Sequence, residues 1–260
     1  MEYSLVMGAS GGIGKEFCHQ LARRGENLII SGRNKNKLEL LKAELTKSYS
    51  ISVITYELDL ADSLKRQEFF SYAKTLGKIS GLYYVSGIDT RKSFLKYSEE
   101  KLIMQARVNF EGALSLSKFA LDNRSEKLKV LIVSSACGFQ PMPYFSEYSA
   151  TKGALVYFFK GLKTELNDKN LKLTLLCPSS VPTRKDIVED IKSQGLTGKL
   201  AQKSPEYIVK TALKALDKNK TICVPGLYNK LVVFISKITP YAVSGKLIAK
   251  KFKNKEKDAF

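Results

Sequence analysis

Short apolar runs rich in β-branched and aromatic residues alternate along the chain with stretches in which apolar residues recur at helical spacing. One such stretch carries Leu38, Leu41 and Leu45 on a single face. A repeated alternation of this kind is typical of an α/β domain, in which helices cover both faces of a parallel sheet. The predicted strands are Ser4–Met7, Asn27–Ser31, Ile51–Glu57, Gly81–Val85, Lys129–Ser134, Lys172–Cys177 and Thr221–Val224.

The pattern changes after the seventh predicted strand, where a Pro-Gly pair opens two amphipathic segments, Leu227–Ile238 and Tyr241–Phe252. We therefore expect residues 1–226 to form one α/β domain, with residues 227–260 as a basic amphipathic helical extension packed on it. The apolar runs, such as Leu231–Ile235, are far shorter than the roughly 18 residues of a membrane-spanning helix.

The chain has 260 residues, of which 44% are hydrophobic and 10% aromatic, and this is enough for a large core in a single domain. The formal net charge of +18 favours contact with phosphates, acidic lipid or nucleic acid. The sequence contains neither a recognition helix nor basic residues interleaved with aromatic ones. We therefore do not expect nucleic-acid binding.

Four cysteines lie far apart, and the sequence contains a single histidine, His19. These residues lack the close spacing of a zinc site, so we expect no bound metal. The cysteines fall in apolar stretches and no secretory signal precedes them, which favours reduced thiols in a cytoplasmic protein. The four are Cys18, Cys137, Cys177 and Cys223.

A glycine-rich stretch, Gly8–Gly14, follows the first predicted strand and precedes a helical run. Glycines suit a tight strand-to-helix turn, and their missing side chains let backbone N–H groups approach a pyrophosphate at the helix N-terminus. Glycine-rich turns are common, so the alternative is a turn that only joins the first strand to the following helix and binds no ligand. The position of this stretch in the first strand–helix turn favours a dinucleotide site.

The end of the second predicted strand indicates which dinucleotide binds. About 20 residues after the glycine loop, where an NAD site has an acidic residue, the stretch Ser31–Lys35 contains none. Arg33, beside Asn34, can bind the 2′-phosphate of NADP(H). Lys15 or Lys35 can supply a second positive charge. We predict NADP(H) rather than NAD(H); the alternative is that Arg33 lies in a solvated loop.

Tyr148 and Lys152 are four residues apart, which places them on one face of a helix. A nearby ammonium favours phenolate, so we expect a lowered pKa for Tyr148 and a role as general acid or base. The same spacing occurs at Tyr97 and Lys101, but only Tyr148 follows a small hydroxyl at a strand end, Ser135. We expect Ser135 to hydrogen-bond the substrate oxygen that Tyr148 protonates.

These motifs, together with Asn109, occur in the order and spacing of the short-chain dehydrogenase/reductase family, which the whole chain resembles. The resemblance implies a single-domain Rossmann fold with a seven-stranded parallel sheet. It implies that Tyr148 is the general acid/base and Ser135 orients the carbonyl. By the same resemblance, Lys152 modulates the tyrosine pKa and contacts the nicotinamide ribose, and Asn109 anchors a water leading to Lys152.

The resemblance also extends the cofactor site over the loops that follow the strands. Three departures indicate altered support of the site rather than lost activity: Met7 for the usual Thr, Tyr84–Gly87 for the usual Asn-Asn-Ala-Gly, and Pro178-Ser179 for the usual Pro-Gly. Together with the residues proposed above, the cofactor-binding residues are Gly8, Ser10, Gly12, Ile13, Gly14, Arg33, Asn34, Asp59, Leu60, Ser86, Gly87, Tyr148, Lys152, Pro178, Val181 and Thr183.

Residues 183–205 are expected to close over the substrate, with Gly195 and Gly198 as hinges. We expect an NADP(H)-dependent oxidoreductase acting on an apolar ketone or alcohol, such as a 3-oxoacyl chain or a steroid-like ring. The alternative is a non-catalytic NADP(H)-binding sensor or scaffold. Similar proteins pair into dimers or tetramers, so a homodimer or homotetramer is expected.

The extension holds eight lysines and two acidic residues. Three interpretations stay open for it. Its helices can pack on the body with a solvated lysine face, can cover an apolar cleft or form a dimer contact, or can lie on an acidic membrane surface.

Overall fold

A parallel sheet lies at the centre of the computed structural model, which describes residues 1–253 and 256–258. Within that part of the chain its strands are β1 (Glu2–Met7), β2 (Leu28–Gly32), β3 (Val53–Glu57), β4 (Lys78–Tyr84), β5 (Arg124–Val133), β6 (Leu171–Leu176) and β7 (Ile222–Cys223). Their spatial order is β3-β2-β1-β4-β5-β6-β7. The direction of winding reverses between β1 and β4, and ligands bind at the carboxyl ends of the strands around such a point.

Helices cover both faces of the sheet. On one face the core contains Leu21, Leu38 and Leu213, and on the other it contains Phe69 and Phe159, all fully buried. The helices are α1 (Gly12–Ala22), α2 (Lys35–Ser48), α3 (Ser63–Leu76), α4 (Glu99–Ala106), α5 (Gly112–Asp122), α6 (Ser146–Leu166), α7 (Lys185–Ser193), α8 (Gly195–Ala201), α9 (Pro205–Asp217), α10 (Leu227–Ile238) and α11 (Tyr241–Phe252). The predicted single α/β domain with a seven-stranded parallel sheet is confirmed.

Four strands begin earlier than the sequence pattern predicts, β1 by two residues, β6 by one, and β4 and β5 by more. β4 begins at Lys78 rather than Gly81, and β5 begins at Arg124 rather than Lys129. The added residues are largely polar, yet their backbones pair, as Ile79 does with Arg124. Apolar periodicity does not detect strand residues whose contribution is only backbone hydrogen bonding.

The two helices of the extension begin and end where the sequence predicts. α10 packs on the body through Asn229 and Val233, which are buried. The Asn229 amide donates to the carbonyl oxygens of Ala201 and Pro225, at 2.9 and 2.8 Å. Positions 254, 255, 259 and 260 of the predicted extension lie outside the described residues. Among the helices that are described, none combines the length and the hydropathy needed to cross a membrane.

The predicted substrate lid folds as α7 and α8. Gly195 is the first residue of α8 and has a φ of +58°, a conformation that favours glycine. Gly198 lies inside α8, and a Cβ atom there would overlap the carbonyl oxygen of Ile191. The glycine allows α8 to pack closely on α7, and its role as a hinge stays a prediction.

Candidate active site

The loops that follow β4, β5 and β6 surround a cleft with a volume of about 440 Å³. This is the edge of the sheet at which the strand order predicts a ligand. The side chains of the tyrosine, the lysine and the strand-end serine all face this cleft. The predicted site residues that line it are Ile13, Gly87, Ser135, Tyr148, Lys152, Pro178, Val181 and Thr183.

Lys152 lies on α6 and is buried, with 2% of its surface exposed. Its ammonium donates a hydrogen bond to the backbone oxygen of Val133 at 2.9 Å and lies 5.8 Å from the centre of the Tyr148 ring. Burial lowers the pKa of Lys152 to about 8, although the charge of Asp89 acts in the opposite direction. A Cβ atom on Gly87 would lie 3.0 Å from the ammonium, so this glycine leaves the space that Lys152 occupies.

Tyr148 lies one turn before Lys152 and stacks on Phe145, with ring centres 4.4 Å apart and planes at 12°. Burial raises the pKa of Tyr148 above its ordinary value, and the charges of Cys137 and Asp89 raise it further. The Ser135 hydroxyl acts in the opposite sense. The expected lowering of this pKa by Lys152 is therefore wrong, because desolvation of the phenolate outweighs the attraction of a cation that is held by a backbone carbonyl.

Ser135 follows the end of β5 in an extended conformation, with a φ of −158°. Its Oγ accepts a hydrogen bond from the backbone N–H of Cys137 at 3.1 Å. Because this bond occupies an acceptor position of the oxygen, the hydroxyl hydrogen remains available for donation into the cleft. The geometry fits a group that holds a substrate oxygen.

Asn109 is buried beneath the cleft, in a π-helical turn (Arg107–Glu111) between α4 and α5. Its side-chain oxygen accepts a hydrogen bond from the backbone N–H of Ile88 at 2.7 Å. Its amide donates to the backbone oxygen of Ile88 at 2.9 Å and to the Thr151 hydroxyl at 3.2 Å. Asn109 thus connects the loop after β4 to α6, and its role as the anchor of a water stays a prediction.

The glycine loop packs closely against its neighbours at the start of α1, which only residues without a side chain allow. Gly8 has a φ of +88°, and a Cβ atom on Gly12 would lie 2.7 Å from the Thr183 side chain. A Cβ atom on Gly14 would overlap the carbonyl oxygen of Gly8. The N-cap of α1, Gly11, makes no side-chain capping bond, and the first turn of the helix has no acidic residue. N–H groups at a helix N-terminus without a side-chain cap or an acidic residue fit the pyrophosphate of a dinucleotide.

The end of β2 has no carboxylate, and Arg33 there is exposed. Within residues 1–253 and 256–258, no side chain forms an ion pair with Arg33. Asn34 caps α2 by accepting a hydrogen bond from the Lys37 backbone at 2.9 Å. Lys15 is paired with Glu44 at 2.7 Å. The charge of Lys15 is therefore already neutralised by Glu44, whereas that of Arg33 is available to a 2′-phosphate.

The remaining predicted cofactor residues lie beside the cleft rather than in its lining. Asp59 accepts a hydrogen bond from the backbone of Ala61 at 2.9 Å, and Leu60 is buried. Ser86 packs against Gly8, where a Cβ atom would lie 2.6 Å from its hydroxyl. Ser10 approaches the end of β2, since a Cβ atom on Gly32 would lie 3.0 Å from its hydroxyl. Their cofactor contacts stay predictions.

A charged rim at the mouth of the cleft was not predicted from the sequence. Arg184 pairs with Asp89 at 2.8 Å, and Arg91 pairs with Asp190 at 3.2 Å. Lys257 also pairs with Asp89, at 2.6 Å. Asp89 comes two residues after Gly87, in the loop that follows β4. This position could have indicated from the sequence that Asp89 lies at the cleft.

The cleft also has an apolar wall, to which the extension contributes as one of the three interpretations above expects, whereas the wall residues before α6 were missed. The wall consists of Met142 and Phe145, which precede α6, and of Val232, Ile248 and Phe252 from α10 and α11. Together with the rim, it makes a site with an apolar side and a polar entrance. In the part of the chain that the structure describes, no group of three or more His, Cys, Asp or Glu side chains could hold a metal ion.

Comparison with known proteins gives three matches of interest. The 11-beta-hydroxysteroid dehydrogenase-like 2 of Arabidopsis thaliana is 25% identical over 244 residues, which cover 92% of this chain and 78% of that protein. The very-long-chain 3-oxoacyl-CoA reductase of Neurospora crassa is 26% identical over 236 residues, covering 87% of this chain and 68% of that protein. A solved short-chain dehydrogenase from Sphingobium yanoikuyae in complex with NADPH shares the fold, with a TM-score of 0.75, 22% identity, and coverage of 87% of this chain and 89% of that one.

The family model for short chain dehydrogenases matches residues 2–193, about three quarters of the chain. The matched part contains the glycine loop and all of Asn109, Ser135, Tyr148 and Lys152. The chain therefore belongs to the short-chain dehydrogenase family of oxidoreductases, whose members bind a nicotinamide cofactor.

Proposed function

We propose that the protein transfers hydride between NADP(H) and the carbonyl or alcohol carbon of an apolar substrate, such as a 3-oxoacyl chain or a steroid-like ketone. The observation that carries this proposal is the convergence of Ser135, Tyr148 and Lys152 on one cleft with an apolar wall. The names of the two curated relatives, a hydroxysteroid dehydrogenase-like protein and a 3-oxoacyl-CoA reductase, support the substrate class.

The protonation state of Tyr148 supports reduction of a ketone. A bound nicotinamide would supply the hydride. Burial raises the pKa of Tyr148, so its phenol holds a proton at neutral pH and donates it to the carbonyl oxygen. The Ser135 hydroxyl donates a hydrogen bond to the same oxygen and stabilises the charge that develops there.

Lys152 stabilises the phenolate that remains after proton transfer. Its pKa of about 8 keeps it mostly protonated at neutral pH. The bond to the Val133 oxygen fixes the position of the ammonium. A charge that is already held in position stabilises a developing anion without a large reorganisation.

Exchanging Tyr148 for Phe removes the proton donor and keeps the ring that stacks on Phe145. We expect Tyr148→Phe to lower kcat for NADPH oxidation with apolar ketones by about 10²-fold or more. NADPH binding, followed by nucleotide fluorescence, is expected to stay intact. The control is Tyr157→Phe, which changes an exposed tyrosine of the same helix.

Retained turnover in Tyr148→Phe would refute the role of this phenol. Cofactor binding by the wild type without turnover of any ketone or alcohol would instead favour the alternative, a non-catalytic NADP(H) sensor. The substrate panel is run in both directions, with ketones and NADPH and with alcohols and NADP⁺.

The preference for NADP(H) rests on the exposed Arg33 and on the lack of a carboxylate at the end of β2. Loss of a charge-assisted hydrogen bond in Arg33→Ala is expected to raise Kd for NADPH about tenfold or more. The Kd for NADH is expected to change little. Lys47→Ala, an exposed cation of α2, is the control, and equal losses for both cofactors would contradict the assignment.

A further inference from the structure

α10 buries one face on the body and exposes an apolar face on the other side. Its buried residues are Asn229 and Val233. The exposed residues recur at helical spacing, and α11 adds three more. We call this set the tail surface: Leu227, Leu231, Phe234, Ile235, Ile238, Tyr241, Val243 and Leu247, each between 47% and 82% exposed. Clusters of large exposed apolar side chains are uncommon on soluble monomers and mark interaction sites.

The charged residues within the two helices that form the tail surface all have one sign. Residues 227–253 contain six lysines and no acidic residue. Lys230, Lys246, Lys250 and Lys253 are exposed, and none of them forms an ion pair with another described residue. The tail surface is therefore an apolar patch bordered by unneutralised positive charge.

This charge decides between the candidate occupants. A second copy of the chain, packed around a two-fold axis, would bring the same lysines against each other without any carboxylate from the tail surface. An anionic membrane surface supplies the opposite charge together with an apolar layer for the leucine and phenylalanine side chains. We propose that the tail surface docks on a bilayer that contains anionic phospholipid.

Docking in this way also places the candidate active site next to the lipid. Val232, Ile248 and Phe252 line the cleft from the same two helices whose other faces form the tail surface. An apolar substrate dissolved in the bilayer would thus be delivered within one helix diameter of the cleft, a distance of roughly 10 Å. This second step rests on the proposed function, whereas the docking itself does not.

The test is co-sedimentation of the full chain with phosphatidylcholine vesicles prepared with and without phosphatidylserine. We expect binding to the vesicles that contain phosphatidylserine and weakening of that binding by salt. Leu231→Asp and Phe234→Asp are expected to lower the partition coefficient about tenfold or more, since each removes a large inserted side chain. Leu40→Asp and Leu64→Asp, at exposed leucines of α2 and α3, are the matched controls and are expected to bind as the wild type does.

The lysines are tested in the same assay. Lys230→Gln, Lys246→Gln and Lys250→Gln are each expected to lower the partition coefficient about fivefold. Lys65→Gln and Lys74→Gln, at exposed lysines of α3, are the controls and are expected to have little effect.

Two outcomes would overturn the proposal. One is the absence of binding to vesicles with phosphatidylserine. The other is a wild type that stays off vesicles and elutes as an oligomer which Phe234→Asp dissociates, because the tail surface would then be a contact between copies. Tyr148→Phe is expected to bind vesicles as the wild type does. Loss of turnover and loss of docking therefore report on different proposals.

Discussion

Asn109→Leu tests how the loop after β4 is tied to the helix that carries the reacting groups. Asn109 is fully buried and makes three side-chain hydrogen bonds, two to the backbone of Ile88 and one to the Thr151 hydroxyl. Thr151 in turn donates to the carbonyl oxygens of Glu147 and Tyr148, at 3.1 and 3.0 Å. One side chain thus links the cleft loop to the turn of α6 between Tyr148 and Lys152.

The expected loss in the free energy of unfolding depends on which buried groups lose their hydrogen-bond partners in Asn109→Leu. Leucine has the branched side-chain skeleton of asparagine but a larger volume, so some overpacking adds to the loss of hydrogen bonds. The backbone N–H and C=O groups of Ile88 then lose their hydrogen bonds to Asn109. Each buried group left without a partner lowers the free energy of unfolding by about 1–3 kcal/mol. We expect the free energy of unfolding to fall by about 2–4 kcal/mol, which still leaves a folded protein. A displacement of about 1 Å in the loop or in α6 would lower kcat by up to about 10²-fold.

Urea unfolding followed by circular dichroism gives the free energy, and turnover with NADPH gives kcat. The control is Asn27→Leu, because Asn27 makes a similar bridge at the opposite end of the sheet. Its side chain accepts from the Ser52 backbone at 2.9 Å and donates to the Glu2 oxygen at 3.4 Å. The control is expected to lose about 1–2 kcal/mol of stability and no activity. A free energy of unfolding of Asn109→Leu within about 0.5 kcal/mol of the wild type, or equal loss of activity in both variants, would contradict this role of Asn109.

Two further predictions concern stability. Burial raises the pKa of Glu147 from 4.5 to about 7, so the unfolded chain releases this proton first and the free energy of unfolding falls as pH rises across that interval. Glu147→Gln is expected to remove this pH dependence and to raise the free energy of unfolding at pH 8 by about 2 kcal/mol, measured by urea titration. An equal gain at pH 4.5 would show that burial of the carboxylate is not the cause. Gly161 of α6 has no atom near a would-be Cβ, so Gly161→Ala is expected to add about 0.5–1 kcal/mol. Gly198→Ala is expected to destabilise the protein, because its Cβ atom would overlap the carbonyl oxygen of Ile191. Thermal melts of Gly161→Ala and Gly198→Ala compare the two variants with the wild type. A higher Tm for both variants would refute the packing argument.

The fold and the position of the cleft could be predicted because they depend on local sequence patterns. The glycine loop, Gly87 and Ser135 stand at the carboxyl ends of β1, β4 and β5, and Tyr148 lies in the first turn of the helix that follows β5. In a parallel sheet those ends meet at one edge. The meeting of Ser135 with Tyr148 therefore follows from chain order, without any knowledge of side-chain contacts.

The electrostatics of the site could not be predicted in this way. The pKa of Tyr148 depends on how deeply its hydroxyl is buried and on Asp89, which lies far from it in sequence. The pairing of Asp89 with Arg184 joins residues that are 95 positions apart. The spacing along one helix indicates that the charge of Lys152 lowers the pKa of Tyr148. It does not indicate how far burial of the phenol raises that pKa, and here burial has the larger effect.

The extension shows a different limit of sequence patterns. α10 is apolar on two sides, since Val232 faces the cleft while Leu231 and Phe234 face outward. A helix that is apolar all round is ordinarily buried or in contact with lipid, and the body of this protein covers only one side of α10. The sequence pattern alone does not distinguish the side that completes the cleft from the side that is left exposed. The structure separates them, so Phe234→Asp can remove docking while turnover of a water-soluble ketone persists, and Tyr148→Phe can remove turnover while docking persists.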